Sequence, residues 1–174
     1  MSGNPVKDAL FSLLESERFA AMAARGRYDQ IAREAVSECS GMVEGAETRD
    51  AILETLATGV LHYILTKSGT PSRRKAVYGG VELDIVIPGT RELEKSPGSA
   101  LVIQVCCDCG RIAERLHRTG MVQSIRENIW ILTQDCTGPF HYTISGEGST
   151  FPQMVTRLIR FAGEHRHDRL GMAP

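Results

Sequence analysis

In the segment VELDIVIP, residues 81–88, alternation along a strand puts Glu82, Asp84 and Val86 on one face and Leu83, Ile85 and Ile87 on the other. Two carboxylates then share a face roughly 7 Å apart by strand rise. In ALVIQVC, residues 100–106, the same alternation places Gln104 with Cys106. A neighbouring strand lies only about 4.8 Å away, so pairing the two segments as a hairpin gathers Glu82, Asp84 and Gln104 at one small polar site. Oxygen ligands gathered in this way suit Mg²⁺, which takes one or two carboxylates with waters and phosphate oxygens. The plainer alternative is a half-exposed strand on which Glu82 faces solvent and Asp84 makes a structural hydrogen bond or ion pair.

Two further constellations follow the second of these segments. Arg111, Arg115 and Arg118 recur at i, i+4 and i+7, opposite Ile112 and Leu116, a stripe that suits phosphate contacts or an ordinary solvated helix face. Cys106 and Cys109 form a CxxC at a strand-to-helix junction, where a helix N-terminus lowers a thiol pKa. With Cys136 and His141 they form a candidate zinc set, provided that two parallel strands end at the same sheet edge. Against zinc stand the half-size of a single CxxC motif and the frequency of cysteine as a buried apolar residue.

These residues need elements to position them. Asn4 and Pro5 start a helix that runs to about Gly26, and Tyr28, Ile31, Ala32, Ala35, Val36 and Cys39 mark the inward face of a second. SGMVEG is a connection, and a third helix runs from about Thr48 to Lys67, with Glu47, Asp50 and Glu54 on its solvated side. The period then becomes extended. KAVY, VELDIVIP and ALVIQVC read as strands, the first two joined by Gly79-Gly80 and the last two by the polar loop GTRELEKSPGS. Asp108 caps a helix from Cys109 to about Gly120, NIWILT and FHYTIS are further strands, and Thr150 with Gln153 makes a capping box for a last helix. The expected division is an N-terminal helical extension over 1–45, an α/β core over 46–165 and a frayed tail over 166–174.

A chain of 174 residues is one domain long and closes a core without staples. Its 42% apolar and 24% charged fractions exclude disordered, collagenous and membrane-bundle classes. Twenty basic residues against twenty-one acidic ones leave no bulk field for nucleic acid or membrane, so any polyanionic partner requires a local patch. The beginning of the sequence has no leader pattern and no apolar run spans a bilayer, so the expected setting is the cytoplasm, with reduced thiols and no membrane partner.

The order helix, strand, GGVELDIVIP, loop, ALVIQV, helix, strand resembles the restriction-endonuclease-like, or PD-(D/E)XK, nuclease superfamily over roughly residues 46–135. The resemblance implies a mixed sheet flanked by helices. It also implies that Asp84 and Gln104 hold Mg²⁺, with Glu54 on the preceding helix or Glu82 assisting. One position departs: Cys106 stands where the superfamily has a lysine, removing a positive charge from a phosphoryl-transfer site. Lys75 and Arg111 are the candidates for a displaced cation. The first reading is therefore a non-catalytic or weakly active protein of nuclease-like fold that binds nucleic acid, DNA or RNA, or a protein partner. The alternatives are an active Mg²⁺-dependent phosphodiesterase using Asp84 and Gln104, and a zinc or thiol-redox module using Cys106 and Cys109.

Overall fold

The computed structural model describes residues 3–41 and 47–171. Asn4 caps the first helix, α1 (Pro5–Leu14), by accepting from the backbone N–H groups of Val6 and Lys7. The helix expected to run to Gly26 breaks at Glu15 and Ser16, and its second half is a separate helix, α2 (Glu17–Ala24). The break lets Leu14 and Phe19 both reach the core, which a single straight helix would not arrange. Helix α3 (Tyr28–Ser40) buries Ile31, Ala32, Ala35, Val36 and Cys39, the face marked by its spacing. Helix α4 (Arg49–Lys67) starts at Thr48, whose hydroxyl accepts from Ala51 N–H, and buries apolar residues over its whole length. Most of the SGMVEG connection lies outside the described residues.

The sheet has five strands in sequential order: β1 (Arg73–Tyr78), β2 (Val81–Ile87), β3 (Leu101–Val105), β4 (Ile129–Thr133) and β5 (His141–Thr143). The first three are antiparallel neighbours, whereas β3–β4 and β4–β5 are parallel. Gly79 and Gly80 make the two-residue turn of the β1–β2 hairpin with φ of 56° and 77°. A side chain at Gly79 would also meet Val122 at 2.9 Å. The polar loop after β2 is partly helical, α5 (Thr90–Lys95), because Leu93 gives that short turn one buried anchor. Helix α6 (Cys109–Gly120) crosses from β3 to β4, and α7 (Phe151–Gly171) continues through the stretch read as a tail from residue 166. The Thr150 hydroxyl accepts from Thr143 N–H and thereby ties α7 to β5; among the described residues no capping-box bond joins Thr150 to Gln153.

Every residue of β3 and β4 is buried, as expected of strands covered on both faces. One face carries Ile85, Ile87, Leu101, Ile103, Val105, Trp130 and Leu132 against α1–α4 and α7 in the main core. The N-terminal helices thus share a core with the sheet. The other face has two smaller clusters, one of Val81, Leu83, Val86, Leu93, Ala100 and Val102, the other of Cys106, Ile112, Ile131 and Cys136 under α6.

Leu56, fully buried at the middle of α4, reports on the main core. Leu56→Ala should cost about 2–5 kcal/mol in urea unfolding at unchanged m-value. A loss under about 1 kcal/mol would contradict close packing there.

Candidate functional site

The strict alternation expected of β2 fails at Asp84. Leu83 packs with Val86 in one cluster, while Ile85 and Ile87 lie in the main core on the opposite face. The ladder shows where the reversal occurs: Arg74 pairs with Ile85 and Ala76 with Leu83, and Lys75 and Asp84 between them are not paired. Lys75 has φ of 48°, a left-handed backbone inside a strand. On the other side of β2, pairing with β3 stops at Ile85↔Ile103. Asp84 therefore sits where β2 has let go of both neighbours, the kind of irregularity that re-aims side chains at sheet edges and sites.

Side chains replace the missing ladder. Gln104 accepts from Asp84 N–H through Oε1 at 2.9 Å, and its Nε2 donates to the Glu82 carbonyl at 3.1 Å and to Thr119 Oγ1 at 3.0 Å. Asp84 Oδ2 accepts from Val105 N–H at 2.8 Å and from Arg115 Nη1 at 2.8 Å. The same Arg115 nitrogen donates to the Val105 carbonyl at 3.3 Å. The two strands are thus bridged by one amide and one carboxylate, and α6 is fastened to the bridge by Arg115 and Thr119.

Above the bridge is a groove of ≈ 340 Å³ lined by β1, β2 and α6. It brings together Glu82, Asp84, Gln104 and the stripe Arg111, Arg115 and Arg118, with Lys75, Glu114 and Thr119 added. Arg118 donates to the Gly80 carbonyl at 3.4 Å, which ties the end of α6 to the hairpin turn. Among the described residues, Lys75 and Arg111 make no side-chain hydrogen bond or ion pair. Glu54 does not line the groove: its Oε1 accepts from Cys107 N–H at 2.8 Å, which caps the end of β3 from α4. Sequence reasoning passed over Thr119, a fully buried hydroxyl on the inner side of α6 at i+7 from Ile112. A polar residue on an otherwise apolar helix face was its signal.

As arranged, two of the groups that would hold Mg²⁺ are already engaged. The Gln104 carbonyl is committed to Asp84 N–H, and the Asp84 oxygen facing the bridge is committed to a guanidinium and a backbone N–H. Cys106 is 2% exposed and its thiol donates to the Asp108 carbonyl. Burial pushes that thiol up, against the opposing pull of Arg115.

The zinc set is not assembled. Cys109 is bonded to Cys136 in a disulfide, so neither supplies a thiolate, and His141 Nδ1 lies 2.9 Å from the Pro139 carbonyl. Among the described residues no group of three or more His, Cys, Asp or Glu could hold a metal ion. The disulfide also corrects the expectation of reduced thiols and of a Cys106–Cys109 redox pair. It ties the first turn of α6 to the loop after β4. The remaining thiols, Cys39, Cys106 and Cys107, are buried. Burial first, then the Glu54 carboxylate, pushes Cys107 up to about 12.

Two outcomes follow. Gln104→Leu removes partners from Asp84 N–H, the Glu82 carbonyl and Thr119, and should cost about 2–4 kcal/mol in chemical denaturation; a cost under about 0.5 kcal/mol would mean that the bridge is dispensable. In denatured protein kept from reductant, alkylation should label three cysteines, and five after reduction. Five labels without reduction would contradict the Cys109–Cys136 bond.

No family model and no curated protein matches the sequence. Among solved structures, the chain is similar to the restriction endonuclease PspGI in its complex with substrate DNA, with a TM-score of 0.57 and 13% identity over 93% of this chain and 94% of that one. At that identity the likeness speaks for the fold, and with the five-stranded mixed sheet flanked by helices it makes the architecture restriction-endonuclease-like.

Proposed function

We propose that the protein binds the phosphate backbone of nucleic acid in the groove between the β1–β2 hairpin and α6, without metal-dependent cleavage. The observation that carries this reading is the Arg115 guanidinium, 2.8 Å from Asp84 Oδ2. It puts a fixed positive charge on the carboxylate that a divalent cation would need. A Mg²⁺ ion held by Asp84 Oδ2 and the Gln104 carbonyl would have to displace this ion pair and leave Asp84 N–H without its partner. Cys106 supplies no compensating charge for a developing phosphorane.

What remains is a binding surface. The groove is lined by four cations, Lys75, Arg111, Arg115 and Arg118, and three carboxylates, Glu82, Asp84 and Glu114. Arg115 and Asp84 satisfy one another. The balance is positive and local, which is what a chain of net charge -1 requires to hold a polyanion. The fold likeness to an endonuclease in complex with its substrate DNA supports DNA as the first polymer to test. No helix among the described residues is long and apolar enough to cross a membrane.

Fluorescence anisotropy with a labelled duplex should show binding that weakens steeply with salt. Arg111→Glu with Arg118→Glu should lower the slope of log K against log[salt] by about 2, since each lost phosphate contact removes about 0.9. In parallel, Mg²⁺ or Mn²⁺ should produce no cleavage of DNA or RNA. Cleavage that Asp84→Ala abolishes would overturn the non-catalytic reading in favour of an active phosphodiesterase built on Asp84 and Gln104.

A further inference from the structure

We propose that Lys75 is the principal phosphate-gripping cation of the groove, aimed into it by the left-handed backbone turn that interrupts β1. This rests on the phosphate-binding reading of the groove and names the residue on which that binding turns.

The backbone supplies the first argument. Only two non-glycine residues among those described have positive φ, Lys75 and Phe140. For a side chain with a Cβ this conformation costs free energy that glycine would not incur, and asparagine would incur less. A strand has no need of it: the register before and after Lys75 is the same, Arg74↔Ile85 and Ala76↔Leu83. The turn changes direction. Beyond it Ala76 and Leu83 face the α6 side of the sheet, while Val77, opposite Glu82, is 66% exposed. Lys75 occupies the reversal point, directly across from Asp84 in the interrupted ladder, and lines the groove with it. Strain held at a polar site, where a cheaper residue would fold as well, is the mark of a side chain retained for what it contacts.

Charge supplies the second. Arg115 is engaged with Asp84 and the Val105 carbonyl, and Arg118 makes one long bond, 3.4 Å, to the Gly80 carbonyl and keeps its other donors for phosphate. Lys75 is exposed, and among the described residues its ammonium makes no hydrogen bond or ion pair. A compact ammonium with three donors can meet a phosphate oxygen without displacing any bond now in place. Arg111 is the other such cation; it lines the same groove from the first turn of α6, with no left-handed backbone of its own to aim it.

The test separates charge from backbone. Lys75→Gly and Lys75→Asn both relieve the left-handed strain, so each should melt no lower than the wild type. Each should nevertheless bind a labelled DNA duplex about tenfold more weakly at low salt, with the salt slope reduced by about 1. Lys75→Arg should restore most of the slope. If Lys75→Gly binds like the wild type while Arg111→Glu with Arg118→Glu does not, Lys75 is only a hinge and the inference is wrong, with the groove reading intact. If the wild type shows no salt-dependent binding, the groove reading falls and this inference with it.

Discussion

The structure depends on how two adjacent strands stay together where their ladder has opened. At Asp84 the second strand pairs with neither neighbour, and an open edge inside a covered sheet would leave backbone groups unpaired at a cost of about 1–3 kcal/mol each. Gln104 is the solution. Its amide both accepts from and donates to the backbone of the second strand, copying the pairing a regular strand would make. Asp84 returns the bond through Val105 N–H. Because the gap is filled by side chains, it can be read from above by a third element, and α6 enters through Arg115 and Thr119.

That arrangement sets the charge and hydrogen bonding around the carboxylate. The carboxylate and the amide lie together, and the positive charge beside them is a guanidinium of the chain itself. An ion pair with side chains 33% and 32% exposed is worth at most about 1 kcal/mol on its own. Its significance is therefore geometric rather than energetic: Arg115 orients Asp84 toward Val105 and closes the bridge. The disulfide at the start of the same helix fixes its other end, so the basic stripe is presented from a helix held at both ends.

Much of this was legible along the chain. Tyr28–Ser40 and Arg49–Lys67 declared themselves by period, and Gly79-Gly80 by the positive φ that a two-residue hairpin turn demands. The proximity of Asp84 to Gln104 and the alignment of the three arginines also followed from periodicity. What period two cannot show is its own interruption: strict alternation puts Leu83 with Ile85 and Ile87, whereas it packs with Val86. The short helix at Thr90–Lys95 has no periodic signature because a single buried leucine makes no apolar stripe. Cys109 and Cys136 lie 27 residues apart, and only the crossover of α6 brings them together. Which donors are already engaged is a tertiary fact that spacing along the chain does not carry.

The most direct measurement of the central claim is Mn²⁺ binding followed by electron paramagnetic resonance on three proteins: wild type, Arg115→Ala, and Arg115→Ala with Asp84→Asn. If the guanidinium holds the place of a cation, the wild type leaves Mn²⁺ free, Arg115→Ala binds it, and the added Asp84→Asn abolishes that binding. Mn²⁺ bound by the wild type with an affinity that Arg115→Ala leaves unchanged would contradict the account.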